Sequence, residues 1–579
     1  MNTSSLIMLI LFGLFNHSEL FAKPQELAFH NVSLIPMDGT SQLIKEQVVI
    51  VKEGKISQIG HKNLINLSED TRIVDGSGYF LMPGLVDMHV HWWDRSDNSA
   101  LFLHEGVTTI LSLGEFPGTN MIPLRTKSRR LDYLGPTIYT SGRRVESNRE
   151  YTVEQIETLV EENYEQGFDL VKVHADVSPE AFDALHAKAK SLGIRVAGHA
   201  QREVGMAPAY RHQQDIVHAE EYMYGAFIPT GLLKIIVLFT LPTSLIMLLI
   251  FLFWKRIFSD RKHVASFSRN ATKLLSRLKK TTFLFFLTSL IFLIILLLSI
   301  PPMFGIWAGK TPALVTTSLL SLCLLGIFGY SAKNIFHLWS ESSILSTQRV
   351  KLSCVAIGML FVSIISLASL PGLWRSSDSG LEDIAQETAD AKIWITPNLV
   401  AYNSLGKNVR TERFHYPNSR YLTPAMRNYW FARSAIPPSL NFLSPLIKEA
   451  FDNQMIIMKK LIHKMHDKGV PMLAGTDAGI VGITPGLSIN EELELLVNSG
   501  LSPYEALKTA TYNPSIYLEE IPNFGSIKIG YTADLILLEK NPLDDIQNVE
   551  DKVGVMVKGN WLPKQMLEKK LELLAESRR

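Results

Sequence analysis

The chain has 579 residues, a formal net charge of +1 and a hydrophobic fraction of 46%. This length allows one large α/β domain together with further segments. The balanced charge excludes a strongly polyanionic partner, so we expect no nucleic-acid binding. The two cysteines, Cys323 and Cys354, both lie in a central apolar block. Their position argues against a disulfide framework and against a thiolate metal site.

The N-terminus carries a short apolar core at residues 6–15, followed by a small residue, Ala22. This core has the length of the hydrophobic part of an export signal and is too short to span a bilayer. We therefore predict that residues 1–22 are a signal peptide, with an N-terminal anchor as the alternative.

Short β runs and turns fill residues 23–80, and a similar run closes the chain at 521–579 together with a C-terminal helix. We predict that these two segments pair as a composite β-sandwich. Residues 81–225 and 377–520 alternate strands with helices, which is typical of a parallel α/β fold. The predicted strands are 85–91, 108–113, 137–141, 169–174, 194–199, 215–218, 393–398 and 472–477. Eight such units predict a (β/α)8 TIM barrel with its chemistry at the C-terminal strand ends.

An insertion at residues 226–376 interrupts this barrel with four charge-free stretches, at 235–254, 281–309, 311–332 and 352–374. Each is long enough to cross a lipid bilayer as a helix. The first connecting loop, 255–280, carries nine Lys or Arg residues, and the third, 333–351, carries three. The positive-inside rule places both loops in the cytoplasm. This predicts a multi-pass plasma membrane protein (the bacterial inner membrane) with an extracytoplasmic, periplasmic catalytic domain whose mouth faces the outer leaflet.

Polar residues recur where the predicted strands end. His89 and His91 alternate along the first strand, so both side chains point to the same face and can hold one metal. His199, His218 and Asp477 end later strands. Because strand ends converge on one rim of a barrel, these five side chains predict a metal-dependent active site.

Two further positions are candidates with alternatives. Lys172 points inward near a strand end, where its charge must be paired or modified, and neighbouring His174 could take its place as a ligand. Tyr402, in the sequence NLVAY, is a candidate for binding a substrate carboxylate or oxyanion; the alternative is that it packs the loop.

Taken in order, the motifs resemble those of the amidohydrolase superfamily, in particular its imidazolonepropionase-like and Xaa-Pro dipeptidase-like members. The resemblance covers the chain except residues 1–24 and the insertion. Asn490 is a departure, since it stands where relatives often have His. The resemblance to the superfamily rests on the motifs TRIVDGSGYFLMPGLVDMHVH, GVTTILSLG, GPTIYTSG, GFDLVKVH, VAGHA, DIVHAEEY, ITPNLVAY, LAGTDAG, LSPYEALKTATYNPS and IKIGYTADLILLEKNP.

The resemblance implies two divalent metal ions, both zinc, and assigns the ligands between them. His89 and His91 would hold one ion, and His199 and His218 the other. Lys172 would be carboxylated and bridge both ions, and Asp477 would bind the first ion and move the proton. A hydroxide bridging the two ions would then be the nucleophile.

These expectations define a membrane-anchored hydrolase of amide C–N bonds in non-peptide substrates or dipeptides. A small-molecule substrate and the lipid bilayer are its expected partners, and a homo-oligomer is possible. The first alternative is a mononuclear deaminase or cyclic-amide hydrolase, with one metal, unmodified Lys172 and His218 acting on the substrate. A second is a non-catalytic membrane receptor built on a barrel. A transporter is disfavoured because the apolar stretches carry no Asp, Glu or His in their cores.

Overall fold

A computed structural model describes residues 26–40, 43–92, 98–115, 120–146, 150–174, 176–227, 230–258, 268–299, 311–340, 346–408, 418–434, 444–519 and 524–579. The predicted signal peptide or anchor at residues 1–22 lies outside these ranges. The strands, in chain order, are β1 Leu27–Leu34, β2 Ile44–Lys52, β3 Lys55–His61, β4 Arg72–Asp75, β5 Phe80–Pro83, β6 Leu85–Val90, β7 Val107–Ser112, β8 Thr137–Thr140, β9 Leu170–Val173, β10 Arg195–Gly198, β11 Asp215–Val217, β12 Ile395–Thr396, β13 Leu535–Leu538, β14 Lys552–Val557 and β15 Asn560–Pro563.

The two ends of the chain build one eight-stranded sheet, in the order β15-β14-β13-β5-β1-β2-β3, with β4 paired to β1. The join is antiparallel between β5 and β13, where Met82 lies opposite Ile536. One face is apolar, and the Trp561 ring meets Phe29 edge-on at 5.2 Å between ring centroids. The strand runs at both ends of the chain therefore lie side by side in one sheet.

The strands between these ends are parallel. One sheet contains β6-β7-β8 and another contains β12-β11-β10-β9. Isolated parallel bridges, Val145↔Val173 and Val90↔Ala478, extend this pairing beyond the regular strands. The fold is thus mixed α/β, with parallel strands connected by helices.

Helices connect the parallel strands and lie on the outside of them. The helix Pro179–Leu192 has a clear signal at each end: the Ser178 side chain caps its start at 3.2 Å from the Ala181 N–H, and Gly193 ends it at a positive φ of 71°. The helices outside the insertion are Ser99–His104, Ile122–Ser128, Val153–Glu165, Pro179–Leu192, Ala207–His212, Glu220–Tyr222, Asp378–Ala391, Leu399–Asn408, Pro424–Ser434, Ser444–Asp467, Ile489–Val497, Pro503–Thr509, Tyr512–Tyr517 and Lys564–Ser577.

The predicted strand at 472–477 is not a regular strand. It joins its neighbour through the bridge Ile395↔Met472, and the Asp477 N–H donates to the His89 carbonyl at 2.7 Å. Asp477 has a positive φ of 61°, which breaks the extended backbone that a ladder requires. The segment nevertheless lies beside β6 and β12, as an inner strand would.

Four long helices make up the insertion: Thr230–Leu252, Arg269–Ser299, Thr311–Ser340 and Ser346–Trp374. Three segments, Arg269–Leu296, Thr316–Ser340 and Ser346–Leu367, are long and apolar enough to cross a membrane. The first helix contributes the shorter apolar segment Ile236–Leu252, with Pro242 inside it. By length and composition the described residues therefore provide three candidate spans, where the sequence predicts four.

A buried ion pair connects the terminal sheet to the parallel strands. Lys552 on β14 lies 3.0 Å from Glu105, whose other oxygen lies 2.6 Å from His104. Burial alone would raise the pKa of Glu105, but the neighbouring Lys552 and His104 outweigh it and lower the pKa to about 2.

We expect Glu105→Gln to lower the free energy of unfolding by about 3 kcal/mol, because it leaves the Lys552 charge buried without its partner. The folded-state pKa of Glu105 lies below its ordinary value of 4.5, so the stabilisation is complete above about pH 4.5 and disappears as the pH falls toward 2. Chemical denaturation between pH 3 and pH 7 measures both effects. Glu387→Gln is the matched control, since it removes an exposed pair with Arg375 at 2.7 Å and should cost less than about 1 kcal/mol. Equal losses in the two variants would contradict the expectation.

Candidate metal centre

The first part of the site stands on β6, all of whose side chains are buried. Asp87, two residues before His89 on the same face, accepts hydrogen bonds from the Thr476 N–H at 3.0 Å and the Thr476 hydroxyl at 2.6 Å. It also accepts the His89 N–H at 3.2 Å, and burial raises its pKa to about 7. Asp87 thereby fixes β6 to the loop that carries Asp477.

The Asp477 carboxylate lies among the imidazole rings. Its Oδ1 is 2.9 Å from His91 Nε2 and 3.3 Å from His89 Nε2, and its Oδ2 is 4.0 Å from His218 Nε2. Burial alone would raise the pKa of Asp477, but the hydrogen bond from His91 and the charge of Lys172 oppose it, and this pKa lies below its ordinary value. The carboxylate is therefore ionised, as a metal ligand has to be.

The position of the proton on His89 decides whether His89 and Asp477 suit a metal ion. His89 Nδ1 lies 3.2 Å from the Asn398 side-chain oxygen, so the proton belongs on Nδ1 and the Nε2 lone pair faces Asp477. Burial lowers the pKa of His89 well below its ordinary value, which keeps the ring neutral. A lone pair that faces a carboxylate oxygen without a proton between them is repulsive, unless a cation binds both. His89 Nε2 has no hydrogen-bond partner, and ligand atoms of His89, His218 and Asp477 lie within 4.8 Å of one another, so these residues fit a metal ion.

His218 and His199 extend the cluster away from β6. The His218 ring lies 4.8 Å from the ring of His89 and 4.8 Å from that of His199, between centroids. Burial lowers the pKa of both His199 and His218 well below the ordinary value, so both rings are neutral. Five of the predicted ligands thus form one continuous group.

Lys172, on β9, is fully buried, and its Nζ has no hydrogen-bond partner. Burial lowers the pKa of Lys172 to about 8, although Asp477 and Glu221 act in the opposite direction. The buried surroundings of Lys172 therefore favour the neutral amine.

Three residues of the site have left-handed backbones although none is glycine. Their φ angles are 80° at His218, 52° at Asn398 and 61° at Asp477. Such conformations cost about 1–3 kcal/mol each and persist where the surrounding structure enforces them, often at functional sites. The three strained turns direct their side chains to the same buried space.

Three further residues from the sequence analysis remain: Tyr402, His174 and Asn490. Tyr402 is buried, its hydroxyl donates to Gln454, and its ring lies 5.0 Å from that of Phe451. His174 packs its ring 4.9 Å from His199, and burial lowers its pKa to about 4. Asn490 donates to Glu105 at 2.9 Å, beside the ion pair to β14. Among the printed contacts, Asn490 therefore belongs to the surroundings of Glu105 and not to the histidine cluster.

Sequence reasoning missed the residues that hold the ligands in place. Asn398 fixes the tautomer of His89. Two residues after Asn398, the Val400 N–H donates to the fully buried Glu492 at 2.7 Å. Burial raises the pKa of Glu492 to about 8. Glu221 lies 2.7 Å from His199 Nδ1. The motifs ITPNLVAY and DIVHAEEY contain Asn398 and Glu221, but only their contacts distinguish these residues from ordinary loop residues.

Comparison with known proteins shows what part of the chain is similar to. Residues 370–562 match the family described as the Amidohydrolase family. This match covers a third of the chain, and the similarity agrees with the predicted enzyme class, a hydrolase acting on carbon–nitrogen bonds.

Individual proteins are similar to this chain in sequence or in fold. An enamidase from Eubacterium barkeri is 34% identical over 95 residues, which are 15% of this chain and 25% of the enamidase. A structure of bottromycin amidohydrolase matches with a TM-score of 0.56 and 17% identity, over 97% of this chain and 92% of the other. A putative prolidase from Bifidobacterium longum matches with a TM-score of 0.52 and 18% identity, over 96% and 99% of the two chains. The two structures share the fold, and the chain matches a quarter of the enamidase.

Gly475 allows β6 and the Asp477 loop to approach each other. A Cβ atom there would lie 2.6 Å from Thr396 Cγ2 and 2.9 Å from His89 Cβ. We expect Gly475→Ala to displace His89 and to lower metal affinity and activity by about 100-fold, since small misplacements of reacting groups have effects of that size. Metal titration of the purified variant measures the change. Gly326→Ala, with nothing within 4 Å of the added atom, is the control; wild-type affinity in both variants would show that the close approach is unimportant.

Proposed function

We propose that the chain is a metal-dependent hydrolase that cleaves the amide C–N bond of small substrates such as dipeptides or N-acyl amino acids. The observation that carries the proposal is the buried contact of His89 Nε2 and Asp477 Oδ1 at 3.3 Å, with His91 and His218 beside it. A divalent cation held there would activate water and polarise the scissile carbonyl.

The side chains of the site would hold the metal ions in place and move a proton. His89, His91 and Asp477 would hold one ion, and His199 and His218 a second. Asp477 would accept the proton of the attacking water at its carboxylate and pass it to the departing nitrogen.

Lys172 decides between one ion and two. If it is carboxylated, its new carboxylate can bridge two zinc ions, and the neutral amine needed for reaction with CO₂ is favoured by the pKa of about 8. If it is unmodified, the site holds one ion and His218 acts on the substrate, as in a deaminase or cyclic-amide hydrolase. The buried Nζ without a hydrogen-bond partner favours carboxylation, because an isolated buried charge is costly.

We further propose that the parallel strands form a (β/α)8 barrel. Parallel pairing runs from β6 to β8 and from β9 to β12, and the bridges at Val145, Met472 and Val90 lie where neighbouring barrel strands would meet. The domains proposed are a barrel at 81–225 and 377–520, a β-sandwich from 23–80 and 521–579, and an insertion at 226–376.

The insertion is proposed to be a membrane anchor. Its outward-facing side chains are large and apolar: Leu238 is 65% exposed, Phe336 75% and Ile357 65%. Monomeric soluble proteins rarely expose a contiguous surface of this kind, whereas lipid covers it without cost. With four crossings and positively charged first and third loops, the catalytic domain would lie outside the cytoplasm. Because the insertion follows His218, the active-site mouth would then face the outer leaflet.

We expect wild-type protein to contain two zinc ions per chain and Lys172→Ala to contain one or none. Protein equilibrated with ¹³C-bicarbonate should show a carbamate carbon signal that Lys172→Ala lacks. Metal analysis, carbon NMR and a screen of dipeptides and N-acyl amino acids test these points together. Lys190→Ala, on the exposed face of a neighbouring helix, is the control. One ion per wild-type chain without a carbamate signal would favour the single-metal alternative.

Membrane sidedness has a separate test. After both native cysteines are replaced, we expect Glu165→Cys, exposed on a catalytic-domain helix, to react with an impermeant maleimide in intact spheroplasts. Ser276→Cys, exposed on the positively charged first turns of the helix Arg269–Ser299, should react only after permeabilisation. Equal labelling of the two positions would refute the proposed topology, and release of the protein by alkaline carbonate would refute the anchor.

A further inference from the structure

We propose that one end of the insertion binds the headgroups of anionic phospholipids, a role that rests on the proposed membrane anchor. Residues 226–376 contain fifteen Lys or Arg and two Asp or Glu, whereas the whole chain has a net charge of +1. The remainder of the chain is therefore acidic overall, and the positive charge is concentrated in the insertion. Such a segregation of charge indicates an interaction with a membrane surface or a nucleic acid.

Contacts between the helices bring basic residues to the same end of the insertion. Lys279 Nζ lies 5.1 Å from the centre of the Phe251 ring, which is near the end of the first apolar helix. Lys351, at the start of the last helix, donates from its ammonium to the Ile257 carbonyl at 3.0 Å. The basic residues of this charged end are Arg256, Arg269, Lys273, Arg277, Lys279, Lys280, Lys333, Arg349 and Lys351.

The charged end is remote from the catalytic domain. The first apolar helix begins at Thr230, just after the π-helix Met223–Phe227, and ends at Leu252 beside the charged end. Its 23 residues correspond to about 35 Å of helix. A ligand at the charged end therefore does not compete with a substrate at the metal centre.

Four of the basic residues form a row on one face of the helix Arg269–Ser299. They are spaced four, four and three residues apart, so their side chains follow one another along about 16 Å of the helix. All four are exposed, whereas Leu275 and Leu278 between them are buried against the other helices. The row consists of Arg269, Lys273, Arg277 and Lys280.

The row has no counter-charge within the described part of the insertion. The ranges 226–227, 230–258, 268–299, 311–340 and 346–376 contain no Asp or Glu. Like charges four residues apart on a helix repel each other. Anions from outside the protein therefore have to neutralise the row.

The row ends where the helix surface becomes apolar. Arg277 and Lys280 are followed, within about one turn, by the exposed side chains of Phe283 and Leu284. This abrupt change from charged to apolar exposed residues is what a helix shows where it enters a bilayer.

Aromatic side chains lie at the same level on the neighbouring helix. Tyr330 and Trp339 are each 48% exposed, and the Ser331 hydroxyl, next to Tyr330, donates to Thr281 Oγ1 at 3.0 Å. Tyr and Trp are enriched where a bilayer meets water, so Lys280 lies at the level of the headgroups. A phospholipid there would place its phosphate against the row and its acyl chains against the apolar helix surface. A free phosphate or a nucleic acid makes only the first of these contacts.

The experiment uses full-length protein purified in a non-ionic detergent, with phosphatidylglycerol as the anionic lipid and phosphatidylcholine as the neutral lipid. Each lipid is added as mixed micelles, and the melting temperature is recorded against lipid concentration. We expect phosphatidylglycerol to raise the melting temperature and phosphatidylcholine to leave it unchanged. Combining Lys273→Gln, Arg277→Gln and Lys280→Gln should raise the half-maximal concentration of phosphatidylglycerol by at least about 5-fold, the factor that one basic residue contributes near an anionic surface.

Two matched variants separate the row from charge in general. Lys45→Gln combined with Lys52→Gln and Lys55→Gln removes the same charge from exposed positions of β2 and β3. Lys273→Arg combined with Lys280→Arg keeps the charge of the row. Both variants should respond to phosphatidylglycerol as the wild type does.

The outcomes separate this inference from the proposed anchor. Equal effects of the two lipids, or equal half-maximal concentrations in the wild type and the triple Gln variant of the row, would overturn the inference alone. A shift with inorganic phosphate or a short DNA duplex as large as that with phosphatidylglycerol would overturn it too, because the ligand would then not be a lipid. If the triple variant does not fold, a wild-type response of Arg277→Gln alone would overturn it equally. Release of the wild-type protein from membranes by alkaline carbonate would overturn both the anchor and the inference.

Discussion

The site depends on one electrostatic conflict: neutral imidazole nitrogens and an ionised carboxylate share a buried space. Asn398 places the proton of His89 on the far side of the ring, so that a lone pair faces Asp477. Without a positive charge between them, these atoms would repel each other in surroundings that screen charge poorly. The neighbouring strained turns at His218 and Asp477 indicate that the surrounding fold maintains the arrangement at a cost.

The supports of the site come from several elements. Asp87 connects β6 to the Asp477 loop, and Glu492 holds the start of the helix that follows Asn398. Both carboxyl groups are fully buried, and burial raises the pKa of each. Such groups specify position through hydrogen bonds with little gain in stability. Buried hydrogen bonds of Asp87 and Glu492 thus hold the segments that carry the ligands.

Much of this organisation could be predicted from local patterns. The alternation of His89 and His91 on a buried strand, and single histidines where later strands end, already predict convergence. The strand β11 and the helix Pro179–Leu192 follow hydrophobic runs and caps closely. Supporting contacts such as Glu221 with His199, or Asn398 with His89, depend on side-chain approach across elements and leave no periodic signal. The sequence predicts a strand at 472–477, but in the structure the segment joins its neighbour only through an isolated bridge at Met472, and the backbone turns at Asp477.

The pairing of β5 with β13 also constrains biosynthesis. The partner of the early strand is translated about 450 residues later, and β6 likewise waits for the loop that carries Asp477. At roughly 5–20 residues per second, this interval lasts roughly 20–90 seconds. The four apolar helices emerge from the ribosome during that time. The N-terminal half therefore has unsatisfied strand edges while the central helices are being made, and the ribosome has almost finished the chain before the first strands acquire their last neighbours.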